Sequence, residues 1–583
     1  MHWCNTTLIS TQLEDLFRQS IKHAYPQLAL SVLEDSLEVT ISKQLEHGHY
    51  QCNSALKLSK ILKDNPRNIA KNIIPSQNSL ISNCEIAGPG FINITLSGSH
   101  LEALLNPLLK DPRLGIAKVQ NPKRIVIDFS SPNTAKELHV GHLRSSIIGD
   151  TIARLFEFLG HHVLRLNHIG DWGTPFGMLI HFLKSQKPNV LKDGSQTTLS
   201  DLASWYKESR VLFDNNPEFK KLSQEQVVLL QAKETSAMDA WHKICEISRK
   251  GYQEIYDLLN IQIQERGESF YHERLPQIVS LLKEKGLTEN SNGAECIFLD
   301  HFLSKEETPL PLIIQKSDGG YTYATTDLAA LYQRIHEEKA DRIIYVVDNG
   351  QSLHLEMVFQ AAQKAGYYDP KKVEVDHVPF GLVLGSDGKK FKTRSGESEK
   401  LIDLLKKAIL KASEILNERN DHLKDAQRTA QVLGINAVKY ADLSSLRTKD
   451  YMFSYEKMLR FEGNTAAFLL YSYVRIASIQ QKADFSLKKV SHKELSLKNP
   501  NEVALALHIL QLREVLESVA HGLLPNRICD YLYLLADKFN AFFRDCPVLN
   551  SEYESSRLIL CELVKRTFEI GFQILGLETV DRM

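Results

Sequence analysis

Two histidines three residues apart, His139 and His142, bracket Val140 and Gly141 in the string LHVGHLRS. At a helix start, imidazoles at that spacing can both face a phosphate or a leaving pyrophosphate. Gly141 would let a nucleotide base approach the backbone closely. Lys136 lies three residues before His139 and could reach the same anion. A second basic group sits far downstream in GSDGKKFKTRSGES, where Lys389, Lys390, Lys392 and Arg394 could pin a triphosphate and spread the charge of a phosphoryl transition state. GxxxxGK[ST] is absent, so this is no P-loop. Simpler readings exist for both groups. Two histidines can be half of a zinc site, but zinc needs two or three more ligands and no Cys or His cluster lies nearby in sequence. A lysine-rich loop can be only a solvated surface.

The elements around these residues read as an α/β protein. RIVIDFS (Arg124–Ser130) is a short β-branched and aromatic run ended by Ser131-Pro132-Asn133 turn chemistry. Apolar residues then recur at Leu143, Ile147, Ile148, Ile152, Leu155 and Leu159, a helical stripe stopped by Gly160. HVLRLNHIG follows as a second strand. Strand, helix and strand make a right-handed βαβ unit of a parallel sheet, whose ligands sit beyond the carboxyl ends of the strands. That is where His139 falls.

Before this unit, residues 1–115 read as a small α+β module. A helix is expected over Thr11–Ala24, a strand near Ser36–Ser42, a loop entering a helix that ends before Pro66, and a hairpin over Cys84–Ser97. After it, 116–455 carry the sheet with helical insertions, a helical stretch lying over about Leu199–Leu259. A β-hairpin is expected over LPLIIQKSDGGYTY, feeding a helix near Asp327. RIIYVVDNGQSLHLEMVFQAAQKAG predicts a buried strand and a helix that starts at Gln351. Residues 456–583 read as a helix bundle, with Ile528, Leu532, Leu535, Phe539 and Phe542 on one apolar face. An Asp near a helix start, such as Asp327, is most often a cap or dipole partner.

At 583 residues, with 43% hydrophobic and 24% charged residues, the chain has the composition of an ordinary globular protein of three or four domains. Net charge is −1, so any nucleic-acid surface must be a local basic patch. Eight cysteines occur without a CxxC pair, so neither a disulfide framework nor a zinc ribbon is expected. The first residues lack the pattern of a secretory signal, and no run approaches eighteen apolar residues. A cytoplasmic protein with no membrane partner is expected.

HVGH resembles the His-Ile-Gly-His motif of class I aminoacyl-tRNA synthetases. DFSSPNTAKELHVGHLRSSIIGD with LNHIGDWGTPFGML resembles the arginyl-tRNA synthetase family specifically, and the likeness covers essentially the whole chain. The basic loop resembles the second class I motif, Lys-Met-Ser-Lys-Ser, in degenerate form. Phe391 and Lys392 stand at the Met and Ser positions, and Thr393 replaces the second lysine. YQCNSALKL and AGPGFINITL resemble the family's N-terminal domain. Phe468 to Arg475 resembles its FxQYxxxR, with Leu470 in place of glutamine.

The resemblance implies a Rossmann-like catalytic domain between an N-terminal α+β domain and a C-terminal anticodon-binding bundle. It implies arginine activation by ATP, with Mg²⁺ accompanying the nucleotide and no zinc, followed by transfer to the terminal adenosine of tRNA. ATP would meet His139, Gly141, His142, Lys389, Phe391 and Lys392, with Lys136, Lys390 and Arg394 completing the charge; Lys136 would compensate for Thr393. Arginine would meet Asp128, Glu268, Tyr323 and Asp327 at its guanidinium, and Asn133 and Gln351 at its backbone end. Phe91, Asn93, Tyr471 and Arg475 would touch tRNA, with Phe91 as hairpin core the alternative. Activation that waits for tRNA, and a monomer, are also expected. A synthetase for glutamate or lysine, and an inactive RNA-binding paralogue, are the competing readings.

Overall fold

The computed structural model describes residues 8–42, 47–76, 78–304, 306–385, 387–389, 399–419, 425–486 and 495–583. Lys390, Phe391, Lys392, Thr393 and Arg394 lie outside the described residues.

Five parallel strands form the central sheet. In spatial order they are Glu374–His377, Arg342–Tyr345, Arg124–Asp128, His162–Asn167 and Gln264–Glu265. Numbered along the chain and read from the opposite edge this is 3-2-1-4-5, a doubly wound order, and the direction of winding reverses between Arg124–Asp128 and Arg342–Tyr345. Alternation along each strand divides the side chains between two layers. Ile125 and Ile127 point into one core with Ile344 and Val346, while Val126 points into a second with Ile343 and Tyr345. Both faces are therefore buried, as a parallel sheet requires. The helix Val140–Leu159 crosses the first face, capped by Gly160 in the left-handed region at φ 94°.

Two insertions leave the sheet. The first is helical, as expected, and consists of Thr174–Gln186, Pro188–Lys192, Leu199–Asn215, Pro217–Gln231 and Thr235–Leu258. Pro217 removes a backbone donor and Asn216 caps the next helix through Glu218 and Phe219, which separates the third of these helices from the fourth. The second is an antiparallel sheet of Glu289–Ser291, Ala294–Leu303 and Pro309–Gln315. Here the expected hairpin fails. Pro309–Gln315 pairs backwards with Ala294–Leu303, and the stretch after Asp318 contributes a single bridge, Gln315 to Tyr321, before turning helical at Tyr323.

The N-terminal module is a four-stranded antiparallel sheet under the helix Ile9–Ala24, which buries Ile9, Leu13, Phe17 and Ile21. Within the expected loop, Tyr50–Cys52 instead forms a strand that pairs with Phe91–Leu96. The hairpin is as expected, Ile81–Ala87 against Phe91–Leu96, with Ile92, Ile94 and Leu96 inward. Its core is completed by Leu507 of the helix Pro500–Leu510.

The C-terminal part is helical. Ile528, Leu532, Leu535, Phe539 and Phe542 of Asn526–Asp545 are all fully buried, each worth roughly 1.5–3 kcal/mol of apolar burial. The last helix, Glu554–Leu575, packs directly on Val140–Leu159. Lys439, 1% exposed, donates its Nζ to the Leu259 carbonyl at 2.8 Å and the Gly576 carbonyl at 2.6 Å, fastening the end of the first insertion to the end of that last helix. Among the described residues no helix is long and apolar enough to cross a membrane.

Candidate active site

A cleft of about 660 Å³ opens beyond the carboxyl ends of the strands, at the point where the winding reverses. Such crevices are where doubly wound sheets bind ligands. Its floor is the start of Val140–Leu159. His139 is the N-cap, in extended conformation, and its Nδ1 accepts from the Gly141 N–H at 3.1 Å. The His142 Nδ1 accepts in turn from the His139 N–H at 3.1 Å. These bonds use Nδ1 of each ring as an acceptor and leave Nε2 to carry the proton. The rings lie 4.1 Å apart, and burial, then His139 beside it, pushes the His142 pKa down to about 3. His142 is therefore a neutral donor at a helix N-terminus, suited to an anion without needing a proton from solvent. Gly141 has a local reason as well. A Cβ there would come within 2.9 Å of the His139 ring, so glycine is what lets His139 fold back over the helix start.

The loop between the central strand and this helix is strained. Ser130 and Ser131 hold φ of 70° and 49°, and Ala135 holds 60°. Such conformations cost on the order of 1–3 kcal/mol each and persist when the surroundings fix them. Here the Ser145 Oγ accepts from the Ser130 N–H at 2.8 Å and donates to the Val346 carbonyl at 2.6 Å, while the Asn167 side-chain oxygen accepts from the Ser131 N–H at 2.9 Å. The Tyr256 hydroxyl joins Ser130 and Asn167 at 2.8 and 3.0 Å.

The opposite wall is acidic. Glu268 opens the short helix Glu268–Tyr271 and Asp327 lies in the second turn of Tyr323–His336. Asp171, underneath, accepts from the Ser269 N–H at 2.8 Å and its hydroxyl at 2.5 Å. Gly267 allows this, since a Cβ there would strike the Asp171 carboxylate at 2.3 Å. Burial, then Asp171, then Asp327, push the Glu268 carboxyl up to about 7. Carboxylates crowded to the point of mutual repulsion are a site for a cation. Asp327 is no helix cap: it is the fifth residue of its helix, and the His354 Nε2–H donates to its Oδ2 at 2.6 Å. Tyr323, 65% exposed, sets its ring 4.7 Å from that of His354.

The cleft brings together Asp128, Asn133, His139, Gly141, His142, Glu268, Tyr323, Asp327 and Gln351, nine of the residues expected from sequence. Asp128 arrives with its charge already met. Its Oδ2 accepts from the buried Arg334 guanidinium at 2.6 Å and its Oδ1 from the Ser131 hydroxyl at 3.1 Å, so it is one half of an internal ion pair. Lys136 is not brought in: its ammonium lies 5.3 Å from the centre of the Tyr206 ring. Lys389 is exposed in a turn whose N–H is held by Asp387. In the N-terminal module Phe91 is half-buried and lies apart from the core that Ile92 and Ile94 enter. Asn93 is 7% exposed and accepts from Gln51 at 2.9 Å. Tyr471 is exposed beneath the Arg475 guanidinium, which also donates to Asn540 at 2.8 Å. Leu470 is buried in the bundle.

Sequence reasoning missed His354, Arg334, and the Ser145–Tyr256–Asn167 scaffold. His354 had a signal, since it lies three residues after Gln351 at a helix start and so shares its face.

Comparison with known proteins identifies the class. The family model for the catalytic domain of class I tRNA synthetases (R) matches residues 104–455, the DALR anticodon-binding domain matches 469–583, and the arginyl-tRNA synthetase N-terminal domain matches 11–96. An arginine–tRNA ligase of Protochlamydia amoebophila is 55% identical over 99% of this chain and 100% of its own length, and one of Crocosphaera subtropica is 48% identical over 99% and 100%. The crystal structure of arginyl-tRNA synthetase from Plasmodium falciparum superposes with a TM-score of 0.86 at 34% identity over the full length of both chains. That from Thermus thermophilus, at 22% identity, shares the fold with a TM-score of 0.78. The chain belongs to the arginyl-tRNA synthetase family.

Proposed function

We propose that this cleft runs both steps of arginine–tRNA ligation, with the histidine pair and helix start at the phosphates and the acidic wall at the guanidinium. As a member of its family the enzyme is ATP-dependent and takes arginine, ATP and tRNA as substrates. In the first step the arginine carboxylate attacks the α-phosphate in line. A carboxylate oxygen–phosphorus bond forms, the α–β phosphoanhydride breaks, and pyrophosphate leaves. No protein nucleophile is needed, because positioning and charge stabilisation suffice. In the second step a ribose hydroxyl of the terminal adenosine attacks the activated carbonyl, releasing AMP and a proton.

Glu268 and Asp327 would share the guanidinium, with Tyr323 against its face and Asn133 and Gln351 at the amino and carboxylate end. Asp128 is reassigned: it holds Arg334, and through Ser131 it steadies the strained loop. His139 and His142 would donate their Nε2–H groups to phosphate oxygens. Lys389, Lys390, Lys392 and Arg394 would close over the triphosphate, with Phe391 against the nucleotide. Mg²⁺ would enter with the nucleotide, as part of the MgATP substrate. Phe91, Tyr471 and Arg475 are proposed to meet tRNA; the burial of Asn93 against Gln51 removes it from that set. The enzyme is taken as a cytoplasmic monomer, in keeping with an N-terminal core completed by its own C-terminal bundle.

The observation that carries the reading is the pairing, across one cleft, of an anion-seeking helix start with crowded carboxylates. Pyrophosphate exchange with each amino acid, with and without tRNA, tests it. Exchange is expected with arginine and only when tRNA is present. Exchange driven by glutamate or lysine, or none at all, would overturn it.

A further inference from the structure

His354 is gripped from two sides. It is the third residue of the helix Ser352–Lys364, which packs against Tyr323–His336. From that neighbour, Asp327 accepts its Nε2–H at 2.6 Å, and Tyr323, one helical turn earlier, lays its ring 4.7 Å away at 58°. The imidazole is 13% exposed and the carboxylate 25%, so both belong to the cleft wall rather than to the core. We infer that His354 is a positioning residue that gives the site its preference for arginine over lysine. By holding Oδ2, it fixes the plane of the Asp327 carboxylate and leaves Oδ1 facing the cleft.

The chemistry of the two substrates gives that lock its effect. A guanidinium is a planar fork whose N–H groups point in set directions, and it is bound well by acceptors held in matching directions. An ammonium is a compact charge whose three donors rotate freely, and a carboxylate that can turn follows it equally well. Fixing Asp327 therefore favours the fork. Releasing it costs arginine a matched acceptor and costs lysine little. Tyr323 contributes by closing the other side of the imidazole, so that His354 cannot swing away from Asp327. The inference rests on the proposed role of Asp327 as a guanidinium acceptor.

The test uses the full-length enzyme with its tRNA, measuring pyrophosphate exchange with arginine and inhibition by lysine. His354→Ala is expected to raise the arginine KM and to narrow the gap between lysine Ki and arginine KM, each by about tenfold, the size of one charge-assisted hydrogen bond. The exchange kcat and the ATP KM should stay within about twofold, which a general structural defect would not allow. His354→Gln, whose amide can donate to Oδ2, should recover most of the selectivity. In an Asp327→Asn background the further change His354→Ala should add nothing, because the group it positions is gone. If His354→Ala keeps wild-type KM and selectivity while Asp327→Asn is impaired, this inference falls and the reading of Asp327 stands. If Asp327→Asn is itself unimpaired, both fall. Equal losses in the arginine, ATP and tRNA parameters of His354→Ala would make the residue merely structural and overturn the inference.

Discussion

Arg144 and Asp442, 298 residues apart in sequence, form an ion pair of 3.1 Å in which neither side chain is more than 1% exposed. Arg144 lies two residues past His142 on the same helix. Its Nη1 also donates to the Gly381 carbonyl at 2.7 Å and the Lys449 carbonyl at 3.1 Å. Those carbonyls lead into two short strands, Val383–Leu384 and Tyr451–Met452, that pair in parallel at the base of the basic loop. One guanidinium thus ties the helix start that would meet ATP to the root of the loop that would cover it. Asp442→Asn leaves that charge buried with a weaker partner, and the fold should lose about 3–5 kcal/mol, read as a lower denaturation midpoint. Arg144→Met with Asp442→Leu removes both charges and should regain most of that stability. Pyrophosphate exchange should stay low in the double variant, with a raised ATP KM. Wild-type exchange there would show that the tether has no part in ATP binding.

Asp327→Asn bears on substrate choice. Losing one partner of a desolvated charge pair costs about 2–5 kcal/mol, roughly thirty- to several-thousand-fold in kcat/KM for arginine. Affinity for tRNA should stay near wild type. Unchanged use of arginine would return Asp327 to a purely structural contact with His354.

Glu268 makes arginine binding depend on pH. Its pKa, pushed up to about 7, means the carboxyl is largely neutral below that pH and charged above it. The guanidinium seeks the charged form, so binding releases a proton. The arginine KM should be flat above about pH 7.5 and rise below 7, approaching tenfold per pH unit. Glu268→Gln should raise KM and flatten this part of the profile. A wild-type KM constant from pH 6 to 8 would rule the assignment out.

Lys136 separates a charge that acts from a charge that rests. Its side chain is exposed, and leaving the Tyr206 ring forfeits about 0.5–1 kcal/mol of cation–π attraction, a small cost beside a phosphate contact. Lys136→Ala is expected to lower kcat for activation by about 10²-fold with little change in arginine KM, as for other lost charge-stabilising donors. Adding Thr393→Lys should recover part of the loss. A Lys136→Ala enzyme as fast as wild type would leave the side chain to Tyr206 alone.

Where function follows short-range pattern, the chain was readable. The strand, loop and capped helix around His139 follow from periodicity and turn residues within forty positions, and so does the carboxyl-end location of the cleft. Gln351 could be placed at a helix start by the same means and Asp327 within about a turn of one, though only resemblance suggested what they do. The failures share a cause. The Asp128–Arg334 pair joins residues 206 apart, and no local pattern tells that a carboxylate at a strand end is already neutralised. The stretch after Asp318 looked like a returning strand because Tyr321 and Tyr323 alternate with small residues. It lost to Ala294–Leu303, which offers Pro309–Gln315 a longer partner. Lys136 has the length to reach a phosphate, but sequence does not reveal the aromatic ring that an insertion seventy residues later places beneath it.

The fastening at Lys439 also sets a schedule. The helix carrying His142 is made early, but the Glu554–Leu575 helix packed on its flank, and the Gly576 carbonyl that Lys439 binds, come about four hundred residues later. At about 5–20 residues per second, that is roughly 20–80 s of synthesis. Through this interval the flank that Glu554–Leu575 covers lacks that partner. A nascent chain is therefore expected to rely on holding factors until the Glu554–Leu575 helix has emerged to cover this flank.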